Sequence, residues 1–432
     1  MAARLALSSA QTGVWMAQQL DPDDRAFNIG EYCDIAGPVD PVLFEKALRA
    51  VVAATPALRA RFDIGEEGLC QYIDDTVDVP LHHIDVSREP DPRAAAERWM
   101  RQDLAKEYDI AKGPLVTWAL FTVGAERTLW YRAAHHIVVD GFGLALIASH
   151  VADVYTALVT GGPRKPRPPG TLEQVVAADV AYRESERYAR DRRFWLNRLA
   201  GQTETASLTD WRPTRGRASI RESGHLSPAD VGILRAAARR LDVTWPEIVI
   251  AALAVRLHRA TGVRELVLGL PVTARTEPML RRVPGMVTNV VPLRLSLSPE
   301  TDFATVVTQT SQRLEEALRH QHYPQEDLVR ELPGLPDGRR QFGPDINIMS
   351  FNYQGDYAGR SSVVHTLCSG PVEDLTVNVY DRMDGQGLQI ALDGNAELYT
   401  RAELADQVHH FVSLLRSVPS LLDGCEVSSM LR

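Results

Sequence analysis

The chain has 432 residues, of which 45% are hydrophobic and 24% charged, as in an ordinary globular protein. This composition argues against intrinsic disorder, and at about 150 residues per domain the length suggests two or three domains. The formal net charge of -9 argues against a general nucleic-acid-binding surface, which would usually be basic.

Membrane and export signals are not recognisable in the sequence. No run reaches about 18 uninterrupted apolar residues, so no transmembrane helix is predicted. The N-terminus lacks a basic segment followed by a long apolar core, which argues against a secretory signal. Because the cysteines form no CxxC pair and show no zinc-ligand spacing, we predict free thiols in a reducing cytoplasm and no metal site. These cysteines are Cys33, Cys70, Cys368 and Cys425.

The first part of the chain alternates helical and strand-like patterns. A serine cap, Ser8 or Ser9, predicts a helix that ends at Asp21-Pro22. The other patterns predict helices over 42–54, 91–106 and 142–158, and strands over 27–35, 58–62, 115–123 and 128–134.

A proline-rich segment, GGPRKPRPPG at 161–170, predicts a surface connection because proline interrupts both helices and central strands. A charged helix is predicted over 172–199, and a polar, turn-rich segment over 201–224. The second half then repeats the same kinds of element, so we predict an α+β protein of two halves joined near 161–225. The remaining patterns predict helices over 229–241, 245–261, 303–320 and 401–415, and strands over 266–271, 290–297, 345–351, 374–380 and 388–393.

The most informative run is HHIVVDG, His135 to Gly141, where a predicted strand turns into a helix start. Histidine is well suited to proton transfer near neutral pH, and alternation along a strand lets only one of the two histidines, His135 or His136, face a cavity. Asp140 is expected to hold the loop through an arginine or a backbone N–H, and Gly141 to permit a tight turn or to bring an N–H to a ligand. On composition alone, a turn with a satisfied core histidine fits equally well, and a metal site lacks a third ligand nearby.

The chain resembles the condensation domains of nonribosomal peptide synthetases in five motifs that occur in the same order. HHIVVDG resembles the HHxxxDG signature of that family. The motif at 55–62, second in chain order, usually begins with His-Glu in that family, where this chain has Thr55-Pro56. The other four are SSAQTGVW at 8–15, TPALRARF at 55–62, PGMVTNVVPLR at 284–294 and HQHYPQEDLV at 320–329.

Two later stretches, 342–353 and 369–380, resemble the aryl-capped siderophore type of condensation domain, as in the serine module of enterobactin assembly. HHIVVDGFG, which begins at His135, also resembles the amide synthase of vibriobactin assembly. The late RDxSRNPL motif is not recognisable, a departure that the aryl-type domains share. The resemblance therefore implies an aryl donor such as 2,3-dihydroxybenzoyl.

The resemblance also implies the fold: two chloramphenicol-acetyltransferase-like lobes in a V-shaped pseudo-dimer with a central tunnel. The lobes would be 1–170, which carries the HHxxxDG motif, and 171–432. The second lobe would supply a floor loop near 273–289 and a latch near 345–380 that crosses back to the first.

The activity implied is acyl transfer, in which an acceptor amine attacks a thioester carbonyl on a donor carrier protein. His136 would accept the amine proton or orient the amine, the Gly141 N–H would favour the oxyanion, and His135 and Asp140 would be structural. In the family this aspartate pairs with an arginine. Of Arg59, Arg61 and Arg275, which lie in matching motifs, we favour Arg275.

Three further residues are candidates for hydrogen bonds around the tunnel: Ser8, Gln11 and Asn289. Helix capping accounts for Gln11 and a turn end for Asn289 without any such role.

The chain contains no recognisable carrier motif, GxSxG elbow or P-loop. We therefore predict no cofactor bound by this chain, and 4′-phosphopantetheine arms delivered by a donor aryl or peptidyl carrier protein and by an acceptor carrier, unless the acceptor is a free amine. Neither nucleic acid nor membrane is a predicted partner. The first motif lies close to Met1, which suits a freestanding enzyme or the first domain of a larger synthetase.

Three alternative activities stay open: a non-catalytic member of the fold, an epimerising member, or a CoA-dependent acyltransferase. A heterocyclisation domain would carry DxxxxD in place of HHIVVDG.

Overall fold

The structure is a computed structural model in which the contacts divide the chain into two compact units. It describes residues 4–22, 25–65, 68–162, 169–202, 204–210, 214, 218–335, 341–351 and 355–423. The first unit comprises Met1–Glu184, Thr273–Thr288 and Tyr353–Pro371, and the second comprises Ser185–Val272, Asn289–Asn352 and Val372–Arg432.

Helices and strands alternate along the described residues. The strands are β1 (Arg4–Ala6), β2 (Asn28–Ala36), β3 (Ala60–Gly65), β4 (Gly68–Ile73), β5 (Leu81–Asp85), β6 (Val116–Gly124), β7 (Arg127–His135), β8 (Ser219–Leu226), β9 (Glu265–Val272), β10 (Asn289–Ser296), β11 (Asp345–Ser350), β12 (Ser362–Cys368), β13 (Leu375–Asp381) and β14 (Leu388–Asn395). The helices are α1 (Ser9–Leu20), α2 (Pro41–Ala54), α3 (Pro92–Leu104), α4 (Gly141–Thr160), α5 (Leu172–Arg183), α6 (Glu186–Leu199), α7 (Pro228–Leu241), α8 (Trp245–Thr261), α9 (Phe303–Arg319), α10 (Gln325–Glu331), α11 (Arg401–Arg416) and α12 (Val418–Leu422). Short 3₁₀ turns lie at Pro56–Arg59 and Leu280–Arg282.

The first unit is built on a five-stranded sheet in the order β12-β2-β7-β6-β5. Eight of the nine residues of β7 are buried, because the strand is central and covered on both faces. Helices α2 and α4 contact each other, and Phe44 of α2 meets Trp130 of β7 edge-on at 5.1 Å. A smaller sheet of β1, β4 and β3 completes the strands of this unit.

The second unit is built on a six-stranded sheet in the order β10-β9-β11-β13-β14-β8. Helix α8 contacts helices α7, α9 and α11 and strand β9, and its residues from Ile248 to Val255 are buried all round. A helix that is apolar on every side needs such complete coverage, which explains its nearly continuous apolar sequence.

The two sheets repeat one arrangement of four strands. In the first unit β2 and β7 are antiparallel, β7 and β6 are antiparallel, and β6 and β5 are parallel. In the second unit β8, β14, β13 and β11 pair in the same order and directions. The predicted α+β class is therefore confirmed.

Each of the two compact units is made of three separate stretches of chain, so the units do not correspond to two lobes divided at residue 170. The division into lobes at that residue stays a prediction. The segment predicted as the floor loop, near 273–289, belongs to the first unit up to Thr288. Within the predicted latch, near 345–380, β12 joins the first sheet, whereas β11 and β13 lie inside the second.

Two predicted elements were wrong in detail. The single helix predicted over 172–199 is two helices, because the Ser185 hydroxyl accepts a hydrogen bond from the Tyr188 N–H and begins α6. The segment predicted as turn-rich, 201–224, ends in strand β8. Its sequence SIRESGHL is polar because β8 is an edge strand that pairs with β14 alone.

Helix α4 is the one described helix that is long and apolar enough to cross a membrane. It begins at the buried Asp140 cap, and Ile147 and Val151 along it are fully buried. Core helices pass the same test of length and composition, and we interpret α4 as one of them. Of the four cysteines, Cys33 and Cys70 are free thiols, and Cys425 lies outside the described residues.

Candidate active site

The HHIVVDG run forms the connection between the end of β7 and the start of α4. His135 is the last residue of β7, and Asp140 is the N-cap of α4. The His136 N–H donates to the Phe27 carbonyl at 2.8 Å, which extends the pairing of β2 and β7 by one residue. Five residues, 136–140, thus separate the end of β7 from the start of α4.

His135 is locked inside the first unit. The Ile137 N–H donates to its Nδ1 at 3.2 Å, so Nε2 carries the proton and donates to Gln18 Oε1 at 3.0 Å. Burial, with a smaller contribution from His136, lowers the pKa of His135 to about 3. This neutral, doubly hydrogen-bonded ring holds the strand end to helix α1.

His136 is placed differently although it is the next residue. Its side chain is only half-buried, and its Nδ1 has no hydrogen-bond partner within the described part of the chain. Burial lowers the pKa of His136, and the Asp140 charge opposes that shift only in part. At neutral pH the ring is therefore an unprotonated imidazole, the form that can accept a proton.

Asp140 is the centre of a buried hydrogen-bond network. Arg275 binds it with two nitrogens, Nη1 to Oδ2 at 2.8 Å and Nη2 to Oδ1 at 3.0 Å. Both side chains are 1% exposed, so the pair is fully desolvated. Of the three arginines considered from the sequence, Arg275 is the one that the structure places on Asp140.

The other partners of Asp140 are backbone groups and one hydroxyl. Its Oδ1 accepts from the Gly143 N–H at 2.8 Å, which caps α4. Its Oδ2 accepts from the N–H groups of Val287 and Thr288 at 3.0 Å each, and from the Thr288 hydroxyl at 2.9 Å. Burial alone would raise the pKa of Asp140, but Arg275 and these donors outweigh it and hold that pKa below its usual value.

The consequence of this network is that one carboxylate joins the helix start to the segment 273–288. Arg275 reinforces the joint by donating to the Gly285 carbonyl at 2.9 Å, and its guanidinium lies 4.9 Å from the centre of the Phe142 ring. Asp140 is therefore a positioning residue for the histidine loop.

Gly141 does not have the tight-turn role that the sequence suggested. Its φ is not positive, and a Cβ built on it meets nothing within 4 Å. Gly143 is the constrained glycine, because a Cβ there would lie 2.5 Å from Val139 Cγ2 and 3.2 Å from the Gly285 nitrogen. As the first residue of α4, Gly141 still offers an N–H at the positive end of the helix dipole.

Ser8 and Gln11 support the histidine loop from helix α1. They form a capping box, in which the Gln11 N–H donates to Ser8 Oγ and the Ser8 N–H donates to Gln11 Oε1. Gln11 Nε2 also donates to Gln71 Oε1 at 3.0 Å and to the Ile137 carbonyl at 3.4 Å. Both residues are buried, so they fix the loop.

Arg59 and Asn289 are placed elsewhere. Arg59 pairs with Asp75 and donates to the Ala53 carbonyl at 3.2 Å. Asn289, in the second unit, donates to the carbonyls of Gln321 and Tyr323 at 2.9 and 2.7 Å. Its carbonyl oxygen accepts from the Gln325 N–H at 3.1 Å, so the side chain fastens the start of α10.

Sequence reasoning missed three contributors to the site. Thr288 and Gly285 stand in the recognised PGMVTN stretch, but nothing in their residue types signals contact with Asp140. Gly370 stands in the recognised SGPVED stretch and lies against the His136 ring. Distance along the chain hides such contacts, and only the fold reveals them.

No group of three metal-ligating side chains occurs among the described residues. An open cleft in the second unit is lined by residues of 205–207, 342–345 and 373–376. It contains none of the residues predicted for the site.

Comparison with known proteins identifies the family. The family model described as "Condensation domain" matches residues 1–426. The chain is 44% identical over 411 residues to "Dimodular nonribosomal peptide synthase" from Bacillus subtilis (strain 168), covering 95% of this chain and 17% of the relative. It is 30% identical over 431 residues to "Enterobactin synthase component F" from Escherichia coli (strain K12), covering 98% of this chain and 33% of the relative. The chain thus spans a third or less of the length of these curated relatives.

Among solved structures, the chain is similar to a mutant of the starter condensation domain of rhizomide synthetase RzmA in complex with C8-CoA. The TM-score is 0.92 at 35% identity, with 99% of this chain and 98% of that chain covered. The resemblance seen in the sequence motifs is confirmed along the whole chain. The chain belongs to the condensation domains of nonribosomal peptide synthetases, enzymes that form amide bonds by an acyltransferase-type reaction.

Proposed function

We propose that this chain is a starter condensation domain that joins a carrier-bound aryl thioester to an acceptor amine. The observation that carries the proposal is His136, a half-buried neutral imidazole whose Nδ1 has no hydrogen-bond partner among the residues that the structure describes. The other two polar side chains of the motif, His135 and Asp140, are occupied with structural hydrogen bonds. His136 is therefore the residue of the run that is available for chemistry.

The reaction needs little covalent help from the protein, because a thioester is already activated. The amine nitrogen attacks the carbonyl carbon and forms the C–N bond, and the C–S bond then breaks. His136 accepts the proton that the amine loses, and the departing thiolate takes up a proton. Holding two tethered substrates together supplies much of the acceleration.

The negative charge that develops on the carbonyl oxygen needs a donor. We propose that the Gly141 N–H supplies it, because the first N–H groups of a helix have no acceptor inside the helix and the dipole favours negative charge there. Gly141 is exposed, and a Cβ built on it would meet nothing within 4 Å.

Carrier proteins would deliver both substrates on 4′-phosphopantetheine arms, and a free amine can replace the acceptor arm. The two lobes with a tunnel between them, the floor loop and the latch are parts of the same proposal. We also propose a cytoplasmic location, supported by the free thiols of Cys33 and Cys70.

The aryl donor is supported by sequence stretches 342–353 and 369–380 and by the similarity to Enterobactin synthase component F. A fatty acyl starter is the second candidate. It is favoured by the solved relative of RzmA, whose bound molecule is C8-CoA, and by a 43% identical relative named "Isonitrile lipopeptide synthase" from Streptomyces coeruleorubidus.

A donor competition separates these two candidates. The purified chain is incubated with carrier proteins loaded with 2,3-dihydroxybenzoyl or octanoyl groups, together with octanoyl-CoA, and with seryl-carrier or free amine acceptors. Mass spectrometry of the products is expected to show amide from the aryl-carrier donor. Amide from octanoyl donors alone would replace the aryl assignment with the fatty acyl one.

Binding of loaded carriers without any product would contradict a catalytic function and support a non-catalytic recruitment role. Inverted stereochemistry of a carrier-bound amino acid, without condensation, would support the epimerising alternative.

A further inference from the structure

The pairing of three neighbouring strands brings Gly370 close to His136. Strand β12 lies beside β2, which lies beside β7. Gly30 of β2 is opposite Cys368 on one side and Ala133 on the other. Two residues beyond Cys368, Gly370 therefore comes level with the end of β7, where the histidines begin.

The structure shows how close this approach is. A Cβ built on Gly370 would lie 3.4 Å from His136 Cδ2 and 3.7 Å from His136 Nε2. Gly370 is buried and has a φ of +122°, a backbone conformation that other residues rarely adopt. The chain thus presents bare backbone to the Cδ2–Nε2 edge of the imidazole.

His136 depends on such packing because its ring is not fixed by hydrogen bonds in the way that His135 is. Two hydrogen bonds fix the His135 ring, whereas Nδ1 of His136 has no partner within the described residues. A ring without such bonds is oriented by the atoms that pack against it. Gly370 supplies that surface on the side of Nε2.

We propose that Gly370 is a positioning and specificity residue, which orients the His136 ring and keeps the space beside Nε2 open for the acceptor amine. This inference rests on the proposed function of His136. Any side chain at position 370 would bring its first carbon into van der Waals contact with the His136 ring. The space left beside Nε2 would then be smaller, so a bulky acceptor amine would lose activity more than a small one.

The main test is Gly370→Ala, with Gly68→Ala as the matched control. Gly68 also belongs to the first unit and has a φ of +103°, but a Cβ built on it meets nothing within 4 Å. We expect Gly370→Ala to lower kcat/KM roughly tenfold to a hundredfold, as small misplacements of catalytic groups do. The loss should be larger for a seryl acceptor than for a glycyl acceptor, and Gly68→Ala should stay within about twofold of the parent.

Equal activities of the two variants, or an equal loss for both acceptors, would overturn the proposal. A purely structural effect of the backbone strain would lower both acceptors alike and would also be present in Gly68→Ala.

A measurement on the unaltered chain covers the case in which Gly370→Ala does not fold. With glycine and histidine labelled selectively, NMR should show a nuclear Overhauser effect between a Gly370 α-proton and the His136 Cδ2 proton. Its absence would overturn the proposal. This signal requires no turnover, so it tests the placement of Gly370 independently of activity. Failure of the chain to form any amide would contradict the proposed function instead.

Discussion

The two units contain equivalent strand-to-helix connections, one between β7 and α4 and the other between β14 and α11. Each spans five residues, 136–140 in the first unit and 396–400 in the second. In both, the first residue after the strand donates its N–H to the residue that precedes the neighbouring strand. His136 donates to the Phe27 carbonyl at 2.8 Å, and Ala396 donates to the Ala218 carbonyl at 2.9 Å.

At both ends of the two connections, different side chains accept hydrogen bonds from backbone N–H groups in equivalent positions. At the strand ends, His135 accepts from the N–H two residues later at 3.2 Å, and Asn395 does so at 2.9 Å. At the helix starts, Asp140 and Thr400 both act as N-caps. These positions need a polar side chain because each satisfies backbone N–H groups that would otherwise be unpaired.

At the position of His136, unlike at those of His135 and Asp140, the connection requires no polar side chain. Its equivalent, Ala396, is an exposed alanine in a turn of the same length. The imidazole is therefore not needed to build this connection, which supports the chemical role proposed for His136.

The largest expected effect comes from His136→Ala, which gives the first connection the residue found in the second. Condensation should fall by about two to four powers of ten if His136 is a general base, while the melting temperature stays close to that of the parent. The assay is the initial rate of amide formation by mass spectrometry, and the control is His83→Ala, because His83 is an exposed histidine of the first unit. Turnover near that of the parent would exclude the base role.

Asp140→Asn should destabilise the chain by about 3–5 kcal/mol, because it leaves the buried Arg275 charge without its counter-charge. Urea unfolding followed by tryptophan fluorescence measures the loss. The double variant Asp140→Asn with Arg275→Met removes both charges and should recover part of that stability. A single variant as stable as the parent would show that this pair does not hold the first unit together.

His135 should make the chain less stable in mild acid. Its pKa is about 3 in the folded chain against 6.5 for an unperturbed histidine, so below pH 6.5 the unfolded chain binds a proton that the folded chain does not. At pH 5 this difference costs about 2 kcal/mol relative to neutral pH. Asp140 does not contribute in this range, because its lowered pKa lies below 3.8.

His135→Asn, which introduces the residue found at the equivalent position 395, tests this expectation. The variant should lose less stability between pH 7 and pH 5 than the parent, as measured by urea unfolding at both values. Burial also lowers the pKa of His136, and that of His322 to about 4, so both histidines should leave a residual dependence in the two proteins. Identical pH dependence in the two proteins would contradict a titrating His135.

The smallest expected effect is that of Thr400→Ala, at about 1 kcal/mol, which is typical of a lost N-cap. Thr400 is exposed, and its hydroxyl accepts from the Glu403 N–H at 3.3 Å without any buried ion pair. If this loss matched that of Asp140→Asn, the special role assigned to the buried pair would be wrong.

The sequence predicted well the elements whose pattern is local. The β7 strand, the α4 helix and the turn between them follow from alternation, helical spacing and an aspartate cap within one short run. The family motifs also identified the candidate histidine. The predicted elements are confirmed because each depends on residues that are close along the chain, whereas the catalytic role of His136 stays a prediction.

Contacts between distant segments could not be predicted from local pattern. Gly143 is needed because its α-carbon packs near the backbone of Gly285, and Gly370 because it reaches His136 across two strand pairings. The polar sequence of β8 concealed an edge strand, since its pairing partner β14 begins more than 150 residues later. Glycine and polar residues in these places carry no signal of their own without the fold.

The first unit is assembled from three stretches of chain, and this has a practical consequence for recombining synthetases. A graft of residues 1–184 alone would leave behind Arg275 and strand β12. The transplanted piece would carry a buried carboxylate without its guanidinium and an uncovered edge along β2, both of which favour aggregation. Half-domain chimeras of this chain should therefore move 273–288 and 353–371 together with the N-terminal stretch.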